Sequence, residues 1–122
     1  MAIYKLKAFA RYARSEGISD EILSDAIGRA ERGLVDADLG GGLFKQRVAR
    51  KGQGRSGGYR VMIALRVGDL AVFLFGFAKS AQDNLDDRQL TALRRIAASW
   101  LSADAARLKA AIEAGELVEV VE

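Results

Sequence analysis

The chain has 122 residues, half of them hydrophobic and 29% charged, with a net charge of +3 and neither cysteine nor histidine. That length suits a single domain over residues 1–122, which can bury roughly two-thirds of its unfolded surface without a disulfide or metal. Without His and Cys, nearly every zinc site, every Ser-His or Cys-His nucleophilic pair and the histidine general base are excluded, so any catalysis must use Lys, Arg, Tyr or carboxylates. No cofactor and no metal is expected. No apolar run approaches the ~20 residues of a membrane span. Met1-Ala2-Ile3-Tyr4-Lys5 also lacks the apolar core of a signal peptide, so a cytoplasmic location without membrane contact is expected.

In chain order, residues 3–7 suit a short strand, and Phe9-Ala10-Arg11-Tyr12-Ala13-Arg14 a short helical piece ending near Gly17. Ser19 is a good N-cap for the next helix, with Ile18 and Leu23 as a hydrophobic staple and Asp20 and Glu21 favouring its first turn. Its core stripe is Ile22, Leu23, Ala26, Ile27 and Ala30, and Gly33 is a natural stop. Asp36, Asp38 and Gly40-Gly41-Gly42 then read as a connector; the paired acids could suggest metal binding or acid–base work, but a turn after the helix explains them more simply.

From Leu43 the pattern becomes strand-like, with Leu43, Phe44 and Val48 among basic residues. Residues 59–67 and 70–77 are β-rich runs separated by Gly68-Asp69, a turn dipeptide suited to a tight hairpin. The second run, Leu70-Ala71-Val72-Phe73-Leu74-Phe75, is nearly all apolar and reads as the central buried strand. Asp86 can cap the following helix with Gln89 reaching back, and Leu85 and Leu90 form its staple. Helical spacing continues through Leu90, Leu93, Ile96, Ala97 and Trp100. Ser102 is the expected cap of a last helix through Ala114. Gly115 ends it, and Leu117-Val118-Glu119-Val120-Val121 follows as a last strand or exposed tail.

The charge is unevenly spread: +4 over residues 1–14, −5 over 15–38, +7 over 39–68 and −3 over 69–122. The basic segment carries Lys45, Arg47, Arg50, Lys51, Arg55, Arg60 and Arg66 without an acid. It also contains Gly52-Gln53-Gly54-Arg55-Ser56-Gly57-Gly58, read as a loop whose backbone can approach an anion. A cation run is often no more than a solvated face. Here it coincides with strand-like sequence, which places the charges on an ordered, phosphate-binding surface. The G-x-G-x-x-G spacing within it is not a dinucleotide fingerprint, because a strand follows where a helix is required, and the Walker pattern is absent. Tyr59 and Arg60 are neighbours in a strand and face opposite sides of the sheet, one packed and one presented.

The order of helix, glycine connector, basic strand, Gly57-Gly58-Tyr59-Arg60-Val61, apolar strand, Gly76-Phe77-Ala78-Lys79 and closing helix resembles the RelE superfamily of bacterial toxins. The stretch from Gly33-Leu34-Val35-Asp36-Ala37-Asp38-Leu39 through Lys45, Arg47, Arg55 and Tyr59-Arg60 is closest to its HigB-like, phage-associated branch. The resemblance implies an α+β fold with a small antiparallel sheet packed against helices. It implies metal-independent, ribosome-dependent cleavage of messenger RNA, and neutralisation by a helix-turn-helix antitoxin through which alone operator DNA is bound. By the same resemblance Arg60 would stabilise the phosphate, Lys79 would contact RNA or assist proton transfer, and Lys51 would act as base. Lys45, Arg47, Arg50, Arg55 and Tyr59 would hold the RNA. The arginine and tyrosine that follow the strand-end lysine in that pattern are replaced by Ser80 and Asp86. Alternatives are a non-catalytic nucleic-acid or ribosome-binding module on the same fold, and the gyrase-targeting toxins of the superfamily.

Overall fold

The computed structural model describes residues 1–50, 54–82 and 84–121, and the side chains of all of these except residues 50 and 54–56. The elements are β1 (Ala2–Leu6), α1 (Lys7–Glu16), α2 (Asp20–Glu31), β2 (Ala37–Asp38), β3 (Leu43–Arg50), β4 (Gly54–Arg66), β5 (Leu70–Ala78), α3 (Asp87–Leu101), α4 (Ala105–Glu113) and β6 (Leu117–Glu119). The strands form one sheet in the order β2-β3-β4-β5-β1-β6. Every pairing is antiparallel except that of β1 with β5. This is the expected α+β architecture, and β5 is internal as its apolar run requires.

Helices cover both faces of the sheet. On one face, Phe9 and Ala13 of α1 and Leu23, Ala26 and Ile27 of α2 pack on Ile3, Val48, Tyr59, Val61, Ile63 and Phe73. On the other, Leu93, Ala97 and Trp100 of α3 and Ala111 of α4 pack on Leu43, Met62, Ala64, Leu70, Val72 and Leu117. Strands buried on two sides cannot alternate apolar with polar, and residues 61–65 and 70–74 are accordingly all buried.

The pairing of β4 with β5 shifts register between Met62, opposite Phe75, and Ile63, opposite Phe73, which leaves Leu74 as an extra residue. A bulge reverses the parity of the strand beyond it. Phe73 therefore faces α1, whereas Phe75 and Phe77 face the α3 side with Met62 and Arg60. Gly76 is turned toward α1, where its backbone lies under the rings of Phe9 and Tyr12.

Local signals in the sequence hold at most helix ends. Ser19 accepts from the Ile22 N–H, Gly17 closes α1 in the left-handed conformation, and Asp86 and Gln89 form a complete capping box on α3. Ser102 does not start the last helix: it is the C-cap of α3, still helical in backbone, and Asp104 accepts from the Arg107 N–H to begin α4. The β4–β5 hairpin forms, but over three residues, 67–69. Gly68 is left-handed there, and the Asp69 N–H donates to the Arg66 carbonyl. The glycine cluster is not wholly a loop, because β4 begins at Gly54, opposite Arg50. Gly40, Gly41 and Gly42 all have positive φ, so the connector between β2 and β3 requires them. The chain from Leu117 to Glu119 is a strand, paired with β1.

Two side chains bind β3 to α2. Gln46, buried, donates its amide to the carbonyls of Ala26 and Leu34, and its Oε1 accepts from the Arg47 N–H. Arg29 pairs with Asp25 and donates Nη2 to the Arg47 carbonyl at 2.9 Å. At the other edge, Asp20 accepts from Lys5 Nζ at 2.6 Å and from the Val121 N–H at 2.9 Å, joining α2, β1 and the segment after β6.

A Cβ at position 76 would lie 2.9 Å from Tyr12 Cε2 and 3.2 Å from Phe9 Cε1. Gly76→Ala should therefore lower unfolding stability by about 1–3 kcal/mol, measured by denaturant titration. Burial acts to raise the Asp20 pKa, but the hydrogen bonds from Lys5 and Val121 and the Lys5 charge outweigh it and hold it below 3.8. Its contribution to stability is therefore full above the ordinary carboxylate value and is lost as pH falls through the lower folded value. Asp20→Asn should lower the melting temperature at neutral pH and flatten the loss of stability below about pH 4.

Candidate functional site

The site lies on the α3 face of the sheet, at the end of β3 and β4 away from the 67–69 hairpin. Residues opposed across antiparallel strands share a face, so Arg47 of β3, Arg60 of β4 and Phe77 of β5 form one row. Lys45, two positions before Arg47 and opposite Met62, lies in the next row. Toward the hairpin this face is filled by Met62, Ala64, Val72 and the residues of α3. In the Arg47–Arg60 row, cations hold the places on β3 and β4, beside Phe77 of β5.

Asp36 gathers those cations. Its backbone N–H donates to the Lys45 carbonyl, which fixes it at the head of β2. Its Oδ1 accepts from Arg47 Nε at 2.7 Å; its Oδ2 lies 3.3 Å from Lys45 Nζ and 3.8 Å from Arg60 Nε. The three cations differ in depth: Arg60 is buried, Lys45 is mostly covered and the Arg47 side chain is 49% exposed. Burial acts to raise the Asp36 pKa, but the hydrogen bonds and charges of Arg47 and Lys45 prevail and hold it below the ordinary carboxylate value. The carboxylate thus stays ionised. Among the described residues three cations meet one anion here, and the cluster is open to solvent on the Arg47 side.

The segment between β5 and α3 closes one margin of the site. Asn84 Oδ1 accepts from Lys45 Nζ at 3.5 Å and from the Leu85 N–H, and Gln82 bonds both the Asn84 carbonyl and Gln89. Lys79 is exposed just past β5, where its N–H donates to the Gly58 carbonyl. Its place two residues after Phe77 keeps it in step with the Arg60 row.

Of the residues singled out in the sequence, Lys45, Arg47 and Arg60 come together, and Lys79 stands at the strand end beside them. Arg50 and Arg55 lie in β3 and β4, but their side chains fall outside the described residues, as does the whole of Lys51. Tyr59 occupies the opposite face, buried edge-on to Tyr12, with its hydroxyl donating to the Glu16 carbonyl. It is the packed member of the Tyr59-Arg60 pair. Arg66 lies at the far end of the sheet, paired with Asp69 and donating to the Leu101 carbonyl. The residue whose place in the cluster sequence reasoning misses is Asp36, which reads there as part of a turn. The signal for it is slight: one of two acids shortly before a cation-only segment, beside a strand of two residues.

The family model described as the RelE toxin of the RelE / RelB toxin-antitoxin system matches residues 1–120. No curated protein and no solved structure matches the chain. Among the described residues no helix is long and apolar enough to cross a membrane. The match spans the sheet, both helical layers and the cation cluster, and on that ground the chain belongs to the RelE toxin family of toxin–antitoxin systems.

Proposed function

We propose that this toxin, acting as one domain of the HigB-like branch, is a metal-independent endoribonuclease that cleaves messenger RNA on the ribosome. The observation that carries this reading is the convergence of Lys45, Arg47 and Arg60 on one face of the sheet, with Lys79 at the adjoining strand end. A surface of that charge suits a phosphodiester backbone, and its residue types suit a reaction in which the substrate brings its own nucleophile.

In that reaction the ribose 2′-oxygen forms a bond to the adjacent phosphorus while the bond from phosphorus to the 5′-oxygen breaks. A 2′,3′-cyclic phosphate and a 5′-hydroxyl result. The 2′-hydroxyl proton must leave, and a proton must reach the departing 5′-oxygen. Arg60, held at the floor of the site, stabilises the extra negative charge on the phosphorane, and Arg47 and Lys45 hold the strand. Lys79 donates toward the leaving oxygen or grips the next phosphate. Lys51 would serve as base. Tyr59, whose ring packs against Tyr12 on the opposite face, is given no role in this reading.

A module that grips RNA without cutting it is favoured by one observation: Ser80 stands beside Lys79 where the superfamily pattern has an arginine. Mapping RNA 5′ ends after induced expression separates the two, because only the nuclease produces new cuts inside translated messages. For the nuclease, Arg60→Ala should abolish those cuts and relieve growth arrest, with a rate loss of roughly 10²–10³ typical of one removed oxyanion donor. Circular dichroism should show the variant folded. Continued arrest by soluble Arg60→Ala protein would remove Arg60 from the mechanism.

The family implies an antitoxin partner, and we assign that role to a helix-turn-helix protein encoded beside the toxin gene, through which the complex reaches operator DNA. Co-expression with the product of the adjacent reading frame should restore growth and give a complex stable to size-exclusion chromatography. A neighbour that neither co-purifies nor protects would remove this assignment.

A further inference from the structure

The Asp36 carboxylate sits where Lys45, Arg47 and Arg60 converge. Its two carboxylate oxygens divide Arg47 from Lys45 and Arg60, as the two non-bridging oxygens of a phosphodiester would divide a cluster of donors. The side chain is only 10% exposed, and its backbone is held by the pairing of β2 with β3, so the carboxylate is fixed in place. Arg60 and Lys45 are mostly covered, and among the described residues the Asp36 carboxylate is the anion they share. Arg47 differs, because its half-exposed guanidinium can turn outward while its backbone stays tied to Gln46 and Arg29.

We propose that Asp36 is an internal stand-in for the RNA phosphate: it aligns Lys45, Arg47 and Arg60 in the RNA-free toxin and yields Arg47 when a phosphodiester arrives. This rests on the RNA-cleaving reading and adds a positioning residue to it. The consequence is discrimination. An anion reaching the cluster must displace a carboxylate already bonded there, so a loosely placed polyanion gains little, whereas an RNA strand held by further contacts can complete the exchange.

The test uses the full chain and a 2′-O-methyl RNA decamer, which binds without being cut. Asp36→Asn keeps the shape and removes the charge, freeing Arg47 for phosphate. Affinity for the decamer should rise roughly threefold to tenfold, and the log–log dependence on salt should steepen by about 0.7, the increment for one more phosphate contact on a single strand. Asp36→Glu, which retains the anion, should keep the original slope. Single-turnover cleavage of translated RNA by Asp36→Asn should fall, because Arg60 and Lys45 lose their alignment. A purely structural role for Asp36 would not steepen the salt response.

If the Asn variant does not fold, the wild-type protein still decides the matter. The Arg47 Nε–H resonance, bonded to Asp36, should shift on titration with the decamer while that of Arg29, bonded to Asp25, stays in place. An unmoved Arg47 signal, or salt-dependent wild-type binding with no steeper slope in Asp36→Asn, overturns the proposal and leaves the nuclease reading intact. A flat salt response in the wild type overturns both.

Discussion

The structure depends on a sheet that must be covered on both faces, yet among the described residues β3 and β4 carry an unbroken buried row on only one of them. On the α1 and α2 side, β3 and β4 present Gln46, Val48, Tyr59, Val61 and Ile63, each buried and either apolar or hydrogen-bonded. On the α3 side the apolar residues of β4 stop at Met62, and Lys45 opposite it and Arg47 and Arg60 in the next row, beside Phe77 of β5, are cations. A fully covered sheet has no use for cations there. An uncovered sheet would leave Arg60 in water, without the low-dielectric surroundings that strengthen its electrostatics. The margin of the α3 layer supplies the intermediate condition, and Asp36 makes it tolerable.

The bulge at Leu74 is the second determinant of this geometry. Without the extra residue, Phe75 and Phe77 would share the face of Phe73, Gly76 would not lie under Tyr12, and Lys79 would follow Phe77 to the α1 side. One unpaired residue in the most apolar strand thus decides which side the strand-end lysine serves.

Much of the fold was legible because its signals are local. The Ser19 cap, the Asp86–Gln89 capping box, the Gly17 and Gly115 stops and the two-sided apolar run of β5 act within a few residues of themselves. What escaped depends on distant partners. A two-residue strand such as β2 exists only because β3 lies beside it, and the Leu74 bulge only because β4 pairs with β5. Ser102 and Asp104 both carry side chains that can cap; Ser102 remains in α3, which leaves the role to Asp104. For the site, the cation segment was visible as composition. Strand alternation separated Tyr59 from Arg60, but only the fold shows which of them packs. Arg66, counted with the same segment, is carried by thirteen residues of β4 to the opposite end of the sheet. Asp36 was invisible because its role is defined by three residues 9, 11 and 24 positions further along the chain.

The hold of Gln46 and Arg29 on Arg47 reaches beyond the joining of α2 to β3. β2 covers the outer margin of β3 only as far as Lys45, and the next outward-pointing N–H and C=O, those of Arg47, would otherwise be free to template an incoming strand. Side chains of the protein itself occupy them. Another copy of the chain finds no backbone ladder to extend at Arg47, so edge-to-edge aggregation through this row is blocked even while the neighbouring guanidinium stays open to solvent. The cationic surface is thereby presented while the adjoining main chain at Arg47 stays closed to β-sheet growth.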